Sequence, residues 1–215
     1  MKVSKIETAL FGENIYILWN EESREAVVVD PGMMRETEYE RFSDFIEKNA
    51  LKVTHVLLTH AHIDHACAAR WVADKYGVLV EGSEKDAEYA ENMAAQVAMF
   101  HLNIKVEPLK IDVDLTDGDV IKLGDEEICV LETPGHSLGG LVYYIPSIAS
   151  AMVGDTIFRY SIGRTDLPGG SFATLEESIK NKVFALPGET TLYPGHGPET
   201  TVAQEMMHNP YVTAE

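Results

Sequence analysis

Four residues of metal-ligating type fall within six positions directly after an apolar run, and that placement limits what the chain can become. Val53-Thr54-His55-Val56-Leu57-Leu58 reads as a strand, and Thr59-His60-Ala61-His62-Ile63-Asp64-His65 begins where it ends. Successive residues leaving a strand alternate sides, so His60 and His62 reach toward one point. Asp64 and His65 fall where the chain turns toward a helix and face a second position. Neutral imidazole and carboxylate suit zinc, manganese or iron without any thiolate. A polar loop with three surface histidines is the plainer alternative, but it does not account for so dense a set after a buried strand.

Three later turns have the same form. Thr133-Pro134-Gly135-His136-Ser137 follows a strand reaching Leu131, and Gly154-Asp155-Thr156 follows Ala151-Met152-Val153. Tyr193-Pro194-Gly195-His196-Gly197-Pro198 follows Thr190-Thr191-Leu192. Singly, each is compatible with a tight turn and an incidental polar side chain. Together they put five of the eight histidines and two aspartates at strand ends, where the ligand-binding loops of α/β folds gather. His55, His101 and His208 lack that setting and read as structural or exposed.

Around these turns strand and helix signals alternate. Residues 2–8, 13–20 and 24–30 read as strands, the last closing on the turn Asp30-Pro31-Gly32. Further strands are expected over 78–80, 119–123, 126–132, 140–145, 149–153 and 190–193. Helices are expected over 36–49, over 66–76 with Gly77 as the stop, and over 84–100 behind Ser83 and Asp86. Thr174 and Glu177 have the spacing of a capping box opening a helix to about 185, and a last helix is expected over about 200–208. No linker, low-complexity stretch or repeat divides the 215 residues, which predicts one α/β domain over 1–215. Trp19, Trp71, Met93 and Met99 read as packing, and Cys67 as a small buried side chain rather than a nucleophile. Met33-Met34 is a candidate for lining the pocket.

Composition removes several classes of function. With 17 basic against 35 acidic residues the formal net charge is −18, which repels nucleic acid and anionic lipid. No run of apolar residues is long enough to span a bilayer, and Met1 to Glu7 has no secretory-signal pattern. Only Cys67 and Cys129 are present, so neither a disulfide framework nor a cysteine-built zinc site is expected, and a cytoplasmic location is.

In order, His-x-His-x-Asp-His, Pro-Gly-His, Gly-Asp and Pro-Gly-His-Gly resemble the metallo-β-lactamase superfamily, from Asp30-Pro31-Gly32 to about Pro210. The resemblance implies an αββα sandwich with a two-metal site at one edge of the sheets. Carried over by motif, His60, His62 and His136 would hold the first ion, Asp64, His65 and His196 the second, and Asp155 would bridge them. Within the superfamily the chain is similar to the glyoxalase II group, the hydroxyacylglutathione hydrolases. Gly154-Asp155-Thr156-Ile157-Phe158, Gly163-Arg164-Thr165-Asp166, Leu192 to Thr201 and Asn209-Pro210 carry that similarity. It is most like short, single-domain members, so no separate C-terminal glutathione-binding domain is expected.

That likeness implies a thioesterase for a small acyl thioester such as a hydroxyacylglutathione. Two divalent ions, zinc first with iron or manganese as alternatives, would hold a hydroxide that attacks the carbonyl. Asp64 is the candidate to orient that hydroxide and move its proton. Arg164, and after it Arg159, are candidates to meet a substrate carboxylate. The rivals are a persulfide dioxygenase-like oxidoreductase with one iron, and a lactonase or other metallo-hydrolase of the same superfamily.

Overall fold

The central strands of this chain are buried on both faces, and that dictates a layered arrangement. In the computed structural model, which describes residues 1–213, the strand β2 (Asn14–Trp19) is buried at every position. Alternate side chains point to opposite faces. Ile15, Ile17 and Trp19 enter one core while Tyr16 and Leu18 enter another. Glu25–Val29, the strand β3, divides the same way, with Ala26 and Val28 on one side and Val27 and Val29 on the other.

The first sheet has the order β1 (Lys2–Glu7), β2, β3, β4 (Lys52–Leu57), β5 (Val80–Gly82) and β6 (Val113–Asp114). Its first three strands pair antiparallel and the rest parallel. The second sheet is built from β7 (Val120–Leu123), β8 (Glu126–Glu132), β9 (Leu141–Ile145) and β10 (Ser150–Gly154). A small ribbon of β11 (Ile157–Phe158) and β12 (Ser161–Ile162) follows β10. The strand β13 (Thr191–Pro194) then pairs parallel to β10, with β14 (Thr200–Thr201) at its edge. Tyr16, Val27 and Leu57 meet Ile128, Val130 and Tyr143 between the sheets.

Helices cover both outer faces. Helices α1 (Glu36–Lys48), α2 (Ile63–Ala66), α3 (Ala69–Tyr76), α4 (Ala87–Glu91) and α5 (Met93–Met99) pack on the first sheet through Phe42, Ile63, Val72, Ala90 and Met93. Helices α6 (Phe172–Ser178) and α7 (Val202–His208) pack on the second through Leu175 and Val202. The result is the expected αββα sandwich. Among the described residues no helix is long and apolar enough to cross a membrane.

Three local expectations need correction. The single helix expected over 84–100 is a 3₁₀ turn at Glu84–Asp86 followed by α4 and α5, broken at Asn92. There the Asn92 amide donates to the Glu88 carbonyl at 2.9 Å and competes with the helical bond. Thr174 does not open α6. Ser171 does, its hydroxyl accepting from the Thr174 N–H and from the Thr174 hydroxyl, and the helix passes into a π turn at Ile179–Val183. Met33 lies in the core with no exposure, so it does not line a pocket, and Met34 packs partly buried against that core.

One bond ties the sheets together next to the site. The hydroxyl of Tyr143 on β9, fully buried, donates to the Leu58 carbonyl just past β4 at 2.6 Å. Replacing Tyr143 by Phe deprives that buried carbonyl of this donor, and about 1–3 kcal/mol of stability should be lost. A denaturant midpoint equal to that of the parent would contradict this.

Candidate metal centre

Each candidate ligand leaves the end of a strand, because those ends lie at one edge of the sandwich. His60 and His62 follow β4, Asp64 and His65 lie on α2, His136 follows β8, Asp155 follows β10 and His196 follows β13. Ring centroids of His60, His62 and His136 are mutually 4.6–4.8 Å apart. His65 and His196 are separated by 5.3 Å. Donor atoms of His60, His62 and His136 lie within 4.8 Å of one another, as do those of Asp64, His65 and His196.

Asp155 lies between these two groups. Its Oδ1 is 3.4 Å from His65 Nε2, and its Oδ2 is 3.6 Å from His136 Nε2 and 3.7 Å from His196 Nε2. Glycine permits this approach. A β-carbon at Gly195 would stand 2.4 Å from Asp155 Oδ1 and 2.5 Å from His65 Cε1. At Gly154 the backbone is left-handed, with φ +48°, and a β-carbon would meet Thr59 Oγ1 at 2.3 Å.

Hydrogen bonds to the outer ring nitrogens set the tautomers. His136 Nδ1 faces the Arg164 carbonyl at 2.8 Å and His196 Nδ1 faces the Phe11 carbonyl at 3.2 Å. A carbonyl only accepts, so both Nδ1 atoms carry hydrogen and Nε2 is left as a lone pair. His65 Nδ1 donates to Asp30 Oδ2 at 3.0 Å. The Thr59 hydroxyl donates to the same oxygen at 2.6 Å and accepts from His60 Nδ1 at 3.1 Å. His62 is turned round, with Nδ1 2.9 Å from His136 Nε2. The Nε2 atoms of His60 and His65 and the Oδ1 of Asp155 are buried with no hydrogen-bond partner. Lone pairs converging in this way are costly unless a cation receives them, so the donor set fits divalent metal.

Charge follows the same logic. Burial, reinforced by the neighbouring histidines, keeps His60 neutral, and burial and His136 push the pKa of His62 down to about 3. Burial would raise Asp155 and Asp64. The charge of His65 and its bond to Asp155, with His136 and His196 for Asp155 and His196 for Asp64, together outweigh burial, so both carboxylates stay ionised. Burial likewise opposes charge on His65 and His196, and the surrounding carboxylates reverse it in both. Cys67 is held as a thiol, since burial pushes its pKa up, and its Sγ donates to the Met33 carbonyl.

Several residues here are not marked as site residues by the sequence. Asp30, buried in a left-handed conformation at φ +50°, also accepts the Thr59 N–H at 2.7 Å. Asp86 accepts the N–H groups of Ala61 at 3.1 Å and Gly139 at 2.7 Å, joining the loops of His62 and His136. Gln96 accepts from Ile63 N–H at 2.8 Å and donates to the Ala61 carbonyl at 3.1 Å. Glu13 is fully buried with both carboxyl oxygens unpartnered. Burial drives its pKa well up, with His65 opposing and Asp30, Asp64 and Asp155 reinforcing. Both candidate arginines are engaged by local partners. Arg164 pairs with Asp166 at 2.7 and 2.8 Å, and Arg159 lies over the Tyr160 ring at 5.4 Å.

The profile of the metallo-β-lactamase superfamily matches residues 9–196, and the chain belongs to that superfamily of metallo-hydrolases. It is 33% identical, over the whole of both chains, to the hydroxyacylglutathione hydrolase GloC of Haemophilus influenzae. Among solved structures it is similar to BLEG-1, a B3 metallo-β-lactamase, with a TM-score of 0.90 and 36% identity over 99% of this chain and all of that one. It is also similar to TTHA1623 in a di-iron-bound form, with a TM-score of 0.85 and 33% identity over 98% of this chain and all of that one.

Because Asp86 and Gln96 hold the backbone on either side of His62, Gln96→Ala and Asp86→Ala should each weaken metal binding roughly ten- to hundred-fold. Competition with a chromogenic chelator measures this, and unchanged affinity in both variants would remove the positioning role.

Proposed function

We propose that the chain is a two-metal thioesterase of the glyoxalase II kind, acting on a small acyl thioester such as a hydroxyacylglutathione. The observation that carries this reading is the place of Asp155, with one carboxylate oxygen directed to His65 and the other to His136 and His196. In this assignment His60, His62 and His136 would hold one ion and Asp64, His65 and His196 the other, with Asp155 available to both. Two divalent cations so placed would supply Lewis acidity toward the carbonyl and acidify a water. Zinc suits the imidazole–carboxylate set, and the di-iron form of TTHA1623 supports iron as the alternative.

The chain's own groups complete the chemistry. Asp64 Oδ2 lies 3.2 Å from His196 Nε2, at the open side of the second group, where a carboxylate can orient the attacking water and accept its proton. Water oxygen bonds to the carbonyl carbon, the carbon–sulfur bond breaks, and a carboxylate and a thiol leave. A thiol with a pKa of about 8.5 departs without a strong general acid. The relative named hydroxyacylglutathione hydrolase supports this substrate class. A substrate carboxylate would reach Arg164 by displacing Asp166 from its guanidinium. Opening of a β-lactam ring is the second reading, favoured by the likeness to BLEG-1.

The test pairs metal content with substrate. Protein loaded separately with zinc, iron or manganese should bind two ions per chain and hydrolyse S-lactoylglutathione, with loss of turnover on chelation. Asp155→Ala should release both ions and reduce turnover at least a thousandfold. One iron per chain with oxygen uptake on glutathione persulfide overturns the reading, as does a kcat/KM higher for a β-lactam than for the thioester.

A further inference from the structure

A cleft of about 290 Å³ opens between α4–α5 and the loops beyond His136 and Arg164. Its wall is predominantly apolar in area, through Tyr89, Ala95, Met99, Leu138 and Pro168, although the polar Asn92 and Gln96 also line it. Met99, expected to be packed, is 53% exposed and Leu138 is 55% exposed. Tyr89 is shared with the candidate metal centre, since its ring stands edge-on to His62 with centroids 5.0 Å apart. Its hydroxyl donates to the Pro168 carbonyl at 2.6 Å, and its own carbonyl accepts from Gln96 at 3.0 Å. One wall of the cleft is therefore held rigidly against a proposed ligand, and Leu138 follows His136 by two positions.

We propose that this cleft is the acyl subsite, which makes the chain favour thioesters with longer apolar acyl groups over short hydroxylated ones such as S-lactoylglutathione; this rests on the thioesterase reading above. Chemistry decides which half of the substrate enters. A peptide-like or nucleotide thiol carrier is polar and charged, and in a predominantly apolar cleft it would lose more hydration than the few polar side chains there return. Lys85, the one cation of the wall, is paired with Glu132 at 2.7 Å, and Glu88 beside it adds negative charge, so no free cation greets an anionic carrier. The volume sits at the lower end for small-molecule sites, about 300–1,000 Å³, which suits an acyl group rather than a whole thioester. A protein partner needs about 800 Å² of matched surface, far more than one helix face and two loop tips present.

Burial of a methylene contributes about 0.8 kcal/mol, or about a fourfold gain in kcat/KM for each carbon until the cleft is full. Acyl thioesters of N-acetylcysteamine from acetyl to hexanoyl, assayed on the metal-loaded protein, read this slope. The hexanoyl-to-acetyl ratio should reach at least fiftyfold in the parent and fall at least tenfold in Ala95→Trp, which fills the cleft from an exposed helical position. Leu138→Ala, which opens the wall without burying anything new, should lower the ratio severalfold. A parent profile flat in chain length overturns the proposal, and so does a slope that survives both substitutions. Calorimetric binding of the non-cleavable amide N-acetyl-N′-hexanoylethylenediamine, in which NH replaces the thioester sulfur, separates the two readings. If no thioester is cleaved but the amide binds the parent and not Ala95→Trp, the cleft stands and the thioesterase reading falls. If thioesters are cleaved and the amide binds both proteins alike, the cleft is not the acyl subsite.

Discussion

The Asp30 carboxylate is the interaction on which the rest of this molecule depends. It sits at the end of a central strand in a left-handed conformation, nearly devoid of solvent. Its oxygens receive the Thr59 amide and hydroxyl and the His65 ring. A single buried charge thereby fixes the exit of β4, the tautomer of His65 and, through Thr59, that of His60. Burying a carboxylate is expensive unless its lone pairs are filled, and here they are filled by the loop the candidate centre requires. Fold and site share one set of hydrogen bonds.

The electrostatics of the centre are those of a cage made to be neutralised. Asp30, Asp64 and Asp155 surround His65, while His60 and His62 are kept uncharged by burial. Burial opposes charge on His65 and His196, and the nearby carboxylates raise both pKa values against it. This is a local pattern of acids and bases, distinct from the net charge of −18 spread over the chain. The first sheet's helices serve the site as well as the core. The segment around α4 and α5 sends Asp86 and Gln96 under the ligand loop and turns Tyr89 and Met99 toward the cleft.

Much of this was legible in the sequence, for reasons that differ by region. Strands such as Glu126–Glu132 were legible because alternation and turn residues are local signals. The break at Asn92 was not, because helical propensity runs through it and only the competing side-chain bond to Glu88 interrupts it. Ser171 and Thr174 are both able caps, and the choice between them depends on how the chain leaves Gly135, whose carbonyl accepts the Ser171 N–H. His60, His62, Asp64, His65, His136, Asp155 and His196 stand out because ligand-type residues in Gly/Pro turns after strands are rare combinations. Asp86 reads only as part of a helix start and Gln96 as an ordinary polar residue of that helix, and nothing local marks either as a support of the site.

What the sequence by itself determined is the layered fold and the residues brought to its edge. Doubly apolar strands must be covered on both faces, and strand-end turns must then gather at common edges. What only the tertiary structure decided is which atoms of those residues face one another and what holds them. The tautomers depend on the carbonyls of Phe11 and Arg164, which lie 185 and 28 residues from the rings they orient. The cleft beside Tyr89 depends on a helix break and on loops meeting across the sandwich. Such pairings are set by packing over long separations, and residue type alone does not encode them.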